Sequence, residues 1–278
     1  MKQYQNLLKE VLAHGDVRMD RTGVGTKALF GKHLHFDLNT GFPAVTVKKL
    51  AFKTCMSELA WMLKGERSIG LMQADGCKIW DGNVEAEIWQ DNKFCEGDRD
   101  AGRIYGVQWR DWRADPSKDS MSIDQLRDVV ERIKSNPADR RLIVTAWNPG
   151  ELDEMCLPPC HMFYQFFVRN GKFLDCQVYM RSVDLVLGLP FDIASYAMLT
   201  TIVANETGYI PGHLNWSLGD THIYLNHTNA AKEMIDRLPY QAPQITYDAD
   251  VSIDNFELHN VRLDNYKHHD AVDAKLNV

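Results

Sequence analysis

Tyr4, Leu7, Leu8, Val11 and Leu12 recur at helical spacing, which predicts a helix over residues 2–13. The next stretch, DRTGVGT, is polar and glycine-bearing, a loop by composition. In KALFGKHLHFDL, Leu29, Gly31, Leu34 and Phe36 alternate with polar positions, so a strand is expected. Residues 51–64 form a mostly apolar helical run that stops at Gly65, a suitable C-cap. The polar, acidic segment 82–103 reads as irregular and exposed. Ile123, Leu126, Val129, Val130 and Ile133 predict an amphipathic helix over 122–135. RLIVTAW reads as a strand, and MFYQFFV and KFLDCQVYM flank Asn170-Gly171, a strong hairpin signal. GLPFDIASYAML opens a buried helix with Pro190 in its first turn. Helical spacing returns over 223–237, and short strands follow.

No linker, repeat or low-complexity tract divides the pattern. The reading is α+β: one domain over residues 1–278, with helices packed on a mixed or mainly antiparallel sheet. A chain of 278 residues can bury a substantial core. Its net charge of −7 argues against a general nucleic-acid or membrane-surface binder, yet permits a local arginine cluster for one phosphate. No apolar run reaches membrane-spanning length and no charged-then-apolar leader opens the chain. The six cysteines form no CxxC pair and no regular disulfide spacing, so a reduced, cytoplasmic setting is expected.

Several residues carry possible chemistry. In LPPCHMFYQF, Cys160 follows two prolines and precedes His161; it reads as a nucleophile if positive charge lies near, and otherwise as a buried structural thiol. Adjacent residues do not readily share one tetrahedral metal ion, and no second ligand pair has zinc spacing. Arg21, Arg140, Arg141 and Arg181, with Ser182, sit in turns and at strand ends, where guanidinium forks together suit a phosphate; any one of them alone reads as ordinary surface charge. Glu58, in the apolar CMSELAWML, is either a proton shuttle raised by burial or a surface partner of Lys64. Tyr105, His222 and Tyr224 are candidates for hydrogen bonds to a sugar or ring, or core groups. Asp192 is one acid in an apolar, small-residue run, costly there unless it is paired.

Together, DRTGVGT, SELAWML, IYGVQWRDW, RRLIVTAWNPGELDEMCLPPCH, RSVDLVLGLPF and GDTHIY resemble the thymidylate synthase family along nearly the whole chain. The resemblance implies a homodimer packed through its sheets, with folate as co-substrate. It makes Cys160 the nucleophile at carbon 6 of a pyrimidine nucleotide and Glu58 the proton relay. Tyr105 assists proton removal at carbon 5, with His161 beside the nucleophile, and Asp184 serves folate. Arg21, Arg181 and Ser182 hold the phosphate from one subunit, Arg140 and Arg141 from the other, and His222 and Tyr224 bond the sugar. Ile79, Trp80, Leu187, Gly188, Phe191 and Val278 cover the folate.

Four departures matter. The family's synthases carry asparagine where this chain has Asp192; its amide reads uracil by donating to oxygen 4 and accepting from nitrogen 3. An ionised carboxylate only accepts, which suits the 4-amino group of cytosine and a protonated nitrogen 3. A protonated acid retains a donor and mimics the amide. The acid here also marks the family's deoxycytidylate hydroxymethylases, to which the chain is most similar. Asn83 replaces a usual tryptophan, and the tail YKHHDAVDAKLNV lacks the usual prolines, so a looser cover admits water in place of hydride. Met180 replaces a common glutamine before Arg181.

The expected activity is one-carbon transfer from methylenetetrahydrofolate to dCMP with water addition. It makes a modified nucleotide for DNA, as bacteriophages do, with no metal, membrane or obligatory nucleic acid. The alternatives are a dCMP methyltransferase, a thymidylate synthase acting on dUMP, and a non-catalytic nucleotide- or RNA-binding relative, which the acidic balance disfavours.

Overall fold

The computed structural model describes residues 1–20, 22–114 and 121–276. Its helices are α1 (Lys2–His14), α2 (Phe52–Lys64), α3 (Gly70–Ala74), α4 (Asp81–Val84), α5 (Glu87–Gln90), α6 (Gly106–Arg110), α7 (Gln125–Ser135), α8 (Gly188–Thr207) and α9 (Thr228–Asp236). The strands are β1 (Asp16–Arg18), β2 (Thr26–Asp37), β3 (Trp112–Arg113), β4 (Ser122–Ile123), β5 (Ile143–Thr145), β6 (His161–Arg169), β7 (Phe173–Asp184), β8 (Ile210–Tyr224), β9 (Gln244–Tyr247) and β10 (Val261–Asp264).

Six strands form the main sheet in the order β1-β2-β8-β7-β6-β5. Asn170 and Gly171 turn β6 into β7 with φ of 54° and 60°, as the Asn-Gly signal requires. The β7–β8 pair is parallel because α8 crosses between them; its neighbours are antiparallel, so the sheet is mixed and the class is α+β, as expected. Helix α8 is apolar on every side and buried from Ile193 to Ala204, which makes it the centre of the core. Leu214, Trp216, Val178, Tyr164 and Phe166 project from the sheet into this core. The opposite face is half-buried or exposed and carries His33, His35, Gln165, Phe167, Gln177 and Asn215. Phe163 and Tyr179 stack on that face at 5.5 Å.

Some sequence expectations need correction. Segment 82–103 is not irregular throughout: the end of α4 and all of α5 lie in it, and Val84 and Trp89 are buried. Its acidic composition conceals an inward hub, in which Arg67 forks onto Asp100 and Trp89 donates to the Asp100 carbonyl. Helix α7 begins at Gln125, because the Asp124 carboxylate caps the Arg127 N–H at 2.9 Å and leaves Ile123 in a short strand. Residues 223–224 finish β8, so α9 starts only at Thr228.

Candidate active site

Cys160 closes a Pro-Pro corner immediately before β6. Arg181, on β7, braces that corner: its backbone N–H donates to the Cys160 carbonyl at 2.9 Å. Its guanidinium Nε and Nη2 donate to the carbonyls of Pro159 and Pro158, both at 2.8 Å. The same group lies over the Trp147 ring. Nη1 makes no hydrogen bond among the described residues and remains available to an anion. The Cys160 N–H donates to the Tyr105 hydroxyl at 2.8 Å. Tyr105 holds φ 39° and ψ −97°, a conformation L-residues rarely adopt.

The ring of Tyr105 stacks on His161 at 3.9 Å. Nδ1 of His161 bonds the Tyr196 hydroxyl at 2.7 Å. Burial pushes this imidazole down to about 3, so it is neutral near pH 7. Its Nε2 faces Asp192 Oδ1 at 4.0 Å, beyond hydrogen-bond length. On α2, Glu58 accepts from Trp80 Nε1 at 2.7 Å. Burial lifts its carboxyl to about 7, and the tryptophan bond only partly opposes this. Glu58, Trp109, His161, Asp192 and Tyr196 share a cavity of about 10 Å³, room for one water.

Asp192 stands one turn into α8 with its side chain 18 % exposed. No described residue donates a hydrogen bond to its carboxyl. Burial, with Glu58 and then Asp184 adding negative charge, holds it well above the usual carboxylate range.

The parallel pair aligns a second set of groups. Ser182 lies beside Asp220, and Asp184 beside His222. Asp220 takes His222 Nδ1 at 3.0 Å and Arg18 Nη1 at 3.3 Å. Tyr224 meets His222 edge-on at 5.1 Å. Asp184 accepts the N–H groups of Val186 (2.9 Å) and Leu187 (3.3 Å), turning the chain into α8. Leu187, Gly188 and Phe191 form the half-buried first turn, and Ile79 is half-buried next to the buried Trp80. Lys48 is buried; desolvation pushes its ammonium down to about 8 against the pull of Asp184.

Arg140 and Arg141 are exposed and lie apart from this cluster. Arg141 is held by Asp139 at 3.0 Å. Ile143 pairs with Gln165, so Arg141 is level with Phe167, well along β6 from Cys160. At about 3.3 Å per residue that is roughly 20 Å, too far for the Arg141 side chain to reach the Cys160 thiol. Arg21 and Val278 lie outside the described residues.

Sequence reasoning missed Asp220 and Lys48. Asp220 was legible in GDTHIY, two positions before His222 on one strand face; Lys48 showed only as one of two adjacent lysines in the mostly apolar AVTVKKL. No group of three or more metal-ligating side chains is placed for an ion among the described residues. None of the described helices is long and apolar enough to cross a membrane.

A sequence model of the family described as thymidylate synthase matches residues 2–278, so the chain belongs to that family. It is accordingly a one-carbon transferase of the kind that uses methylenetetrahydrofolate and a nucleotide.

Proposed function

We propose that this thymidylate synthase family member takes dCMP as its nucleotide and adds water to the transferred carbon, giving 5-hydroxymethyl-dCMP. The observation that carries the reading is the Asp192 carboxyl, which no described donor satisfies and which shares a water-sized cavity with Glu58 and His161.

Both protonation states of Asp192 can pair with cytosine, whereas only the neutral one pairs with uracil. A neutral carboxylic acid donates from its O–H to nitrogen 3 and accepts from the 4-amino group through its carbonyl oxygen. When the Cys160 sulfur adds to carbon 6, the proton passes to nitrogen 3, and a charge-assisted pair forms where ring charge develops. Uracil pairs with the neutral acid as with an amide. It offers no basic nitrogen to receive the proton, and an ionised Asp192 sets an oxygen against oxygen 4. Mispairing of that kind costs roughly 1–3 kcal/mol, or one to two decades of selectivity.

The remaining roles follow from position. Tyr105 fixes the Cys160 backbone, and its ring against His161 forms the wall beside carbon 5. Glu58, balanced near pH 7, exchanges protons with the ring through the cavity water. Arg181 Nη1 and Ser182 meet the phosphate, while His222, oriented by Asp220, and Tyr224 meet the sugar. Trp80, Leu187, Gly188 and Phe191 suit the flat pterin, with Asp184 and Ile79 beside them. Arg140 and Arg141 serve the site of a second copy docked on the exposed sheet face. Asn83, beside Trp80 on α4, leaves a polar edge where a tryptophan would exclude water. Mass spectrometry of the product from dCMP and methylenetetrahydrofolate is the test. A hydroxymethyl product supports the reading; a methyl product, or turnover of dUMP alone, overturns it.

A further inference from the structure

We infer that His227 is the latch that seats the C-terminal tail next to the sugar-binding end of β8. After β10 the described residues, 265–276, have no regular structure and are strapped down by separate hydrogen bonds. The Tyr266 hydroxyl donates to the Val45 carbonyl at 2.6 Å. His269 N–H donates to the Thr46 carbonyl at 2.9 Å. Arg237 Nη1 donates to the Asp270 carbonyl at 2.7 Å. From there the tail runs to Lys275, whose carbonyl accepts from His227 Nε2 at 2.7 Å. Val272 and Ala274, between these anchors, pack on the core.

His227 is built for one bond. Its side chain is 1 % exposed, and Nδ1 has no partner among the described residues. A carbonyl oxygen only accepts, so Nε2 carries a proton aimed at the tail. The imidazole stands edge-on to Tyr224 at 5.7 Å, and Tyr224 stands edge-on to His222 at 5.1 Å. A nucleotide sugar that orders Tyr224 thus firms the wall behind the latch, and a seated tail holds Tyr224 in place. His227 is a positioning residue: it acts through the tail and Tyr224 and touches no reacting atom.

The catalytic consequence rests on the folate-transfer reading, whereas the latch itself is testable without substrate. Hydrogen exchange with mass spectrometry on the full chain reads the tail directly. In His227→Phe, which keeps the ring and removes the donor, amides of residues 270–276 exchange roughly three- to tenfold faster, the worth of one lost hydrogen bond. The sheet and α8 are unchanged, and His227→Gln, which returns a donor near Nε2, restores protection. With substrates, His227→Phe raises the folate KM several-fold while nucleotide affinity falls less. Tail exchange equal to wild type in His227→Phe, or equal loosening of tail and sheet, overturns the latch. Tail loosening in an enzyme that turns over neither nucleotide leaves the latch standing and removes the functional reading instead.

Discussion

The hydroxyl of Tyr105 accepts the backbone N–H of Cys160 at 2.8 Å, so the residue with the unusual positive φ is the one that fixes the thiol's peptide. Tyr105→Phe keeps the stack on His161 and leaves that N–H without its partner. The cost is about 1–3 kcal/mol in placing the sulfur. Turnover is expected to fall at least tenfold with little change in melting temperature. Full kcat in this variant refutes the positioning role.

Asp192→Asn replaces an acid by an amide at the base-reading position. Preference is expected to move toward dUMP by one decade or more, measured as the ratio of kcat/KM values. The pH profile provides a second readout. One proton is shared between the raised Asp192 carboxyl and nitrogen 3, so kcat/KM for dCMP declines as rising pH removes it. The asparagine variant lacks that alkaline limb. Retention of a strong dCMP preference would show that other side chains read the base.

Glu58 links rate to stability. Burial lifts its carboxyl from an ordinary 4.5 to about 7, so the folded state resists ionisation. The sign follows: there is no penalty below about pH 4.5, a growing one through pH 7, and a ceiling of roughly 3 kcal/mol above it. Glu58→Gln is expected to lose about 10²–10⁴ in kcat. It is also expected to be more stable than wild type at pH 8 and equal to it at pH 4.5. Denaturant melts at the two pH values decide this.

Cys160→Ala should abolish turnover and leave nucleotide binding largely intact, as calorimetry can show. Mixing it with Arg141→Ala tests the exchange of arginines between copies. Each mixed dimer then regains one complete site, so random reassociation restores about a quarter of the sites. No recovery on mixing, with dimers confirmed by sedimentation, means Arg141 does not serve the neighbouring subunit.

At Gly106, α6 lies tightly against the Met62 backbone of α2. A Cβ there meets the Met62 carbonyl oxygen at 2.1 Å, against rigid helix backbone. Gly106→Ala is expected to destabilise by about 1–3 kcal/mol and to disturb Tyr105 next to it. A wild-type melting temperature contradicts the packing argument.

Periodicity alone predicted α1, α2 and the β6–β7 hairpin, because each has one buried side or a turn that only certain residues permit. It failed at α5 and at the end of β8. There the deciding interactions are distant: Trp89 on Asp100, and β8 pairing with β2 up to Thr26. Cys160, Glu58 and Asp192 stood out as chemically odd residues in apolar or proline-rich surroundings. Asp220 and His227 did not, since their importance lies in what their second atom holds. The burial that raises the Glu58 carboxyl was legible in its apolar run, whereas its partner Trp80, which donates from the start of α4, lay outside any local window.

The parallel step between β7 and β8 is constant from Cys176–Leu214 to Asp184–His222. A residue lost from either strand within that span would slide Ser182 against Asp220 by about 3.3 Å and turn the facing side chains over. This stretch is therefore expected to accept many substitutions but no insertion or deletion, and loop-length change in a functional variant should be confined to connections such as Asn170-Gly171.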